Sequence, residues 1–273
     1  MSESRRYSSD FRLSVDIPGR FDEGVTFEIL VVIGALSGVT TVLFGFGGGF
    51  VTVPVIVWAD AGLGSEAMRT AVATSAVVVF AASAIATAST RSEILASLRG
   101  KRVLLALLAV GGVVGGLAAR VAPAELGRWS FVAYLGISLI DAVARPGFVR
   151  PVGVAAERQS IRAGFGLPVG AVAAFLGVGG SVLTVPLLRR AGHSMESATA
   201  LANPMTIAIT APAVVPLIAS VDVTSAAALL LGATPVVVVL RRYGITIPDI
   251  VHARAYVGLI GTVCVAMTLS ALY

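Results

Sequence analysis

Along most of this chain, apolar runs close to membrane-spanning length follow one another with hardly an ionisable side chain inside them. A helix rises 1.5 Å per residue, so about 20 apolar residues cross a bilayer core. Runs of this kind stand at 27–44, 70–89, 103–121, 127–144, 162–176, 200–221, 225–240 and 255–272. Two shorter apolar pieces, 50–58 and 182–188, cannot cross as helices. Only 13% of the residues are charged and 56% are hydrophobic, against roughly 25% charged in soluble domains. Such a chain cannot cover a globular surface with polar groups, and membrane lipid is the solvent that fits it. The expectation is an all-α, multi-pass integral protein of the cell membrane with about 8 membrane segments.

The same residues exclude other classes. The net charge is +5, but the basic residues are scattered between apolar runs and form no stripe with interleaved aromatics, so no nucleic-acid partner is expected. One cysteine, Cys264, lies in the last apolar run, where it makes neither a disulfide nor a metal site by itself. His193 and His252 fall in short connections far apart in sequence and read as interfacial residues. Asp141 is the nearest carboxylate to mid-span, with Arg145 one turn on as its partner. No constellation of nucleophile, base and oxyanion donor is visible, so neither catalysis nor a cofactor or metal is expected. Residues 1–25 form a polar tail with mixed charge and a short interfacial candidate at 11–15.

Two apolar runs end in glycine clusters that copy each other: Phe44–Pro54 reads FGFGGGFVTVP and Leu176–Pro186 reads LGVGGSVLTVP. Gly45, Gly47, Gly48, Thr52, Val53 and Pro54 match Gly177, Gly179, Gly180, Thr184, Val185 and Pro186 at a constant offset. Farther on, AVATS ending at Ser75 resembles ALANP ending at Pro204. The chain therefore divides into a first repeat at 26–144, a solvated linker at 145–161 and a second repeat at 162–273. Glycine permits a sharp turn and proline removes a backbone donor, so each cluster reads as a re-entrant or discontinuous helix. Broken backbone at membrane depth is tolerated where protein buries it or a watery cavity reaches it. The GGVVGG run at 111–116 reads instead as close helix packing.

Charge decides between layouts. With eight simple crossings the basic residues divide evenly between the two sides. If each glycine cluster is the apex of a hairpin, Arg91, Arg99, Lys101, Arg102, Arg145, Arg150, Arg158, Arg162, Arg189, Arg190, Arg241, Arg242 and Arg254 gather on one side. Arg69, Arg120 and Arg128 remain on the other, with the tail. Positive charge favours the cytoplasmic side. The hairpin layout also gives each half three crossings, which inverts the second half relative to the first.

The free N–H groups of a short helix attract anions, and paired broken helices in inverted halves are a recurrent transporter site. Neither cluster has the lysine of a P-loop or the third glycine of a dinucleotide fingerprint. On G-x-G-G-G with V-P and then A-V-A-T-S, repeated in degenerate form, the chain resembles the TauE/SafE family of sulfite and organosulfonate exporters. It departs from the family pattern at Asn203-Pro204, where Thr-Ser is usual, and at Ser181 for the third glycine. The resemblance implies a permease or exporter of small anions, most simply sulfite or organosulfonates, working by alternating access. A channel or a permease for other organic acids is the first alternative, and an intramembrane lipid-processing enzyme the second. The candidate binding residues are Gly47, Gly48, Gly49, Pro54, Thr74 and Ser75, then Gly179, Gly180, Ser181, Pro186, Asn203 and Pro204. Arg69 and the Arg189–Arg190 pair are candidates for drawing anions inward, and a homo-oligomer is compatible with such a chain.

Overall fold

A computed structural model describes residues 26–59, 65–149, 161–244 and 247–272. The described residues are helical throughout, with no strand. The order is α1 (Phe27–Phe44), α2 (Gly49–Ala59), α3 (Ser65–Ala88), α4 (Ser92–Leu95), α5 (Arg102–Val121), α6 (Ala124–Ala144), α7 (Gly166–Leu176), α8 (Ser181–Arg190), α9 (Met195–Leu217), α10 (Val223–Tyr243) and α11 (Asp249–Leu272). Among them 7 are long and apolar enough to cross a membrane, namely α1, α3, α5, α6, α9, α10 and α11. The expected span at 162–176 is not among these. A 3₁₀ turn and the 11 residues of α7 occupy it, because the glycine turn stops the helix before it gains crossing length.

Glycines set which helices touch. A Cβ on Gly34 would meet Leu229 O at 2.1 Å and one on Gly38 would meet Ala233 O at 2.7 Å, so α1 lies against α10 and runs the same way. The glycine doublets of α5 divide their work. Gly111 and Gly115 abut Leu167 and Ala171 of α7, while Gly112 and Gly116 abut Ile209 and Ala213 of α9. Small residues let backbones approach where apolar transfer supplies no driving force, which accounts for the GGVVGG run as packing.

The two short helices fold back along their predecessors. Ile56 of α2 packs with Leu30 near the start of α1 and with Ala226 and Leu229 of α10. The end of α8 is fastened to two other helices: Arg190 donates to Asp141 of α6 at 2.7 Å, and Arg189 pairs with Asp249 at the start of α11. Asp249 also accepts from Met195 N at 2.9 Å. Asp141 has its expected partner too, with Arg145 at 3.0 Å.

These contacts gather the end of α3 with the starts of α9 and α11 and the end of α10 around one cavity, at the arginine-rich face. The start of α3, the end of α5 and the start of α6 meet at the opposite face. One expectation needs correction, and another falls outside the described residues. Phe148, expected in a solvated linker, is fully buried, lies 5.1 Å from Tyr256 ring to ring, and accepts from Arg189 Nε at 3.1 Å. The tail, with its interfacial candidate at 11–15, and residues 150–160 of the linker lie outside the described residues.

Candidate functional site

Both glycine clusters fold into the same turn. Gly45, Gly47 and Gly48 have φ of 72°, 62° and 90°, and Gly177, Gly179 and Gly180 have 71°, 74° and 84°. Three left-handed residues in four are readily accessible only to glycine. The first glycine caps the preceding helix: Gly45 N donates to Thr41 O at 3.1 Å and Phe46 N reaches back to Thr40 O at 3.5 Å. Gly177 N and Val178 N donate to Ala174 O and Ala173 O, the Schellman pair, and the bonds at Gly45 and Phe46 each reach back one residue farther; in both an apolar residue follows the cap. The new helix then starts at Gly49 or Ser181, with Gly48 O and Gly180 O as its first acceptors. Its leading N–H groups have no intrahelical acceptor.

The two turns meet. A Cβ on Gly49 would lie 2.5 Å from Gly177 O, so the backbones of the two clusters are in contact. Val79, near the middle of α3, reaches positions 2.6 Å from the Cβ sites of Gly47 and Gly49 and 2.7 Å from that of Gly179. Ser75 Oγ donates to Gly177 O at 2.6 Å, and Thr206 Oγ1 of α9 donates to Gly179 O at 2.8 Å. Tyr256 of α11 closes the side: its ring is 4.9 Å from Phe46, and its hydroxyl lies 3.3 Å from Ser181 O and Val182 O. Phe46, Val79, Thr206 and Tyr256 are fully buried.

The candidates divide by position. Gly47, Gly48, Gly49, Ser75, Gly179, Gly180 and Ser181 are brought together at this junction. Pro54 and Pro186 lie inside α2 and α8, where each removes one donor from a short helix. Asn203 and Pro204 lie in α9; Asn203 Nδ2 donates to Thr199 O at 3.3 Å, and Thr199 O lies against the turn at Gly45. Thr74 is elsewhere: its hydroxyl accepts from Asp222 N at 2.9 Å and anchors the start of α10. Arg189 and Arg190 are corrected outright. Their guanidinium groups are committed to Asp249, Asp141 and backbone carbonyls, so they fasten α8 and do not face a vestibule. His252 is buried, not interfacial, and bonds Leu43 O through Nε2.

Among the described residues, several buried oxygens near the junction have no hydrogen-bond partner: Thr52 Oγ1, Thr184 Oγ1, Ser181 Oγ and Asn203 Oδ1. Leaving one such group unpaired costs about 1–3 kcal/mol, so a polar occupant would be stabilised there. Two cavities approach from opposite faces. The larger, about 160 Å³, reaches Leu43 and Thr199 beside Gly45. The smaller, about 20 Å³, reaches Val72 and Phe175 beside Gly177.

A family model described as sulfite exporter TauE/SafE matches residues 30–270. The chain belongs to the TauE/SafE family. No curated protein and no solved structure matches it in the corresponding comparisons. TauE/SafE proteins are membrane transporters, and with its apolar helices this one is a multi-pass integral membrane protein; a plasma-membrane location is typical for the family. In this TauE/SafE chain the glycines stand out in the sequence as candidate binding residues, whereas Thr52 and Thr184 enter only as matched positions of the repeat, and Val79, Thr206 and Tyr256 do not enter. Thr52 and Thr184 were within reach, since the T-V-P copy marks them. Val79, Thr206 and Tyr256 carry no local signal and are recruited only by the fold.

Proposed function

We propose that this protein moves a small sulfur oxyanion, sulfite or an organosulfonate, across the membrane by alternating access around the two glycine turns, without covalent chemistry. The observation that carries this reading is the contact between two turns of equal geometry, with unpaired hydroxyls beside them and a cavity approaching from each face. In this reading 26–144 and 162–273 are inverted repeats. Leu43, Gly244 and His252 of the larger cavity then stand where Phe175, Ala119 and Gly127 stand in the smaller one. Their unequal volumes fit a state open toward the arginine-rich face.

The chemistry suits an anion of this size. Helix N-terminal N–H groups and hydroxyls donate to oxyanions, and the groups gathered at the junction carry no formal charge of their own. Strong binding by fixed positive charge would retain the anion; neutral donors bind it and release it. Outward movement of a dianion also gains about 2.3 kcal/mol per charge per 100 mV of inside-negative potential.

The test is sulfite efflux from proteoliposomes under an imposed potential, with sulfoacetate, taurine, lactate and sulfate as competitors. Saturable, potential-sensitive efflux that is lost in Gly48→Leu supports the reading. Saturable flux of another acid, without sulfite flux, removes the substrate and keeps the mechanism. Flux that does not saturate and shows no counterflow replaces alternating access with a channel.

A further inference from the structure

The larger cavity holds charges that the junction itself lacks. Arg241 near the end of α10, Arg91 beyond α3, Glu196 in the first turn of α9 and His252 of α11 line it together. Arg91 is exposed and Arg241 is partly buried. Among the described residues, Arg241 Nε and Nη2 are buried with no hydrogen-bond partner. Those two nitrogens form one edge of the guanidinium, the edge that presents parallel N–H bonds to two oxygens of a single oxyanion. Glu196 lines the same cavity and, among the described residues, makes no ion pair with Arg241. His252 Nε2 is already engaged with Leu43 O. The cavity therefore carries two arginines against one carboxylate, and low-dielectric walls concentrate that potential. Thr199 and Leu43 of its lining lie one contact and two residues, respectively, from the turn at Gly45.

We propose that this cavity is a vestibular oxyanion site, in which Arg241, assisted by Arg91, takes two oxygens of a sulfonate, sulfite or carboxylate before the anion reaches the glycine turns. A torsional swing of the guanidinium brings its unpaired edge into the cavity. Glu196 opposes the anion and keeps its residence short, so the site captures without trapping. The proposal deepens the transport reading and rests on it only for the anion's destination.

The test uses the full chain with Cys264→Ser, which removes its one cysteine, and Ser89→Cys, which places one thiol on the cavity wall. The purified protein is labelled with 2-sulfonatoethyl methanethiosulfonate, itself a sulfonate, and with its trimethylammonium counterpart, each rate being divided by the reagent's rate with a free small thiol. The anionic reagent is expected to react about tenfold faster or more, within the range that electrostatic focusing gives. Arg241→Gln should lower the ratio at least about threefold, while Arg241→Lys, a point charge without the fork, keeps most of the ratio. Glu196→Gln should raise it. Methanesulfonate should slow labelling saturably, and Arg241→Gln should abolish that protection. A ratio near one, or one unchanged in both Arg241→Gln and Arg91→Gln, overturns the proposal, as does competition that never saturates. Sulfite flux without the charge bias leaves transport standing and removes the vestibular site. Bias and saturable protection without flux of any tested anion does the reverse.

Discussion

A methyl group on Gly48 would fall 2.1 Å from Ser37 Oγ, on a backbone whose φ is 90°. The conformation refuses it and Ser37 Oγ would have to turn away, so Gly48→Ala should abolish sulfite efflux and cost at least about 1 kcal/mol in stability. Gly136 is the control: its Cβ would meet nothing within 4 Å and it sits inside α6. Gly136→Ala should leave efflux intact and the melting temperature equal or slightly raised, since alanine gains about 1 kcal/mol over glycine in a helix. A second pair of variants separates binding from folding. Thr52→Val and Thr184→Val keep the shape and remove hydroxyls that have no partner. Replacing an unpaired buried hydroxyl by a methyl should leave thermal stability unchanged or higher; efflux that stays at the starting rate in both would remove these threonines from the site. The glycines were legible because a turn that only glycine adopts leaves glycine in the sequence, twice. Val79 was not legible, because a valine in a membrane helix carries no mark of the backbone it will touch.

Helix ends show where sequence and fold part company. The bounds of α1 coincide with the apolar run at 27–44, and α2 and α8 fall within a residue or two of the expected pieces. By contrast α9 begins at Met195 and α11 at Asp249, five and six residues before their apolar runs. Hydropathy reports the part of a helix that suits lipid, whereas hydrogen bonding continues into the polar first turn. Ser194 caps α9 by accepting from Ser197 N at 3.2 Å, and Asp222 caps α10 by accepting from Thr224 N at 2.9 Å. The short helix α8 depends on its anchors. Asp249 is partly exposed but holds both buried Arg189 and Met195 N. Asp249→Asn keeps one acceptor for Met195 and strands the guanidinium, so it should cost about 2 kcal/mol, discounted from the 3–5 of a fully buried pair. Thermal melting in detergent measures it, and a shift no larger than that of Arg145→Gln, whose side chain is mostly exposed, would deny α8 its anchor.

Across the whole molecule, Arg91, Arg189, Arg190, Arg241 and Arg254 lie toward one face, and Arg69, Arg120 and Arg128 toward the other. The richer face is assigned to the cytoplasm, so the end of α11 points out of it. A reporter joined after α11 should behave as exported: alkaline phosphatase active, a green fluorescent protein dark. The opposite pattern would turn the molecule over and with it the direction in which the larger cavity opens.

The seating of α1 against α10 has a consequence for how the chain is made. Gly34 and Gly38 wait for a surface that lies about two hundred residues later in the sequence. While the ribosome is still delivering the second half, the first hairpin has no final neighbour along that flank. Nascent chains stopped before α10 should therefore be recognised by quality-control proteases. The two halves expressed as separate polypeptides should survive only in each other's company.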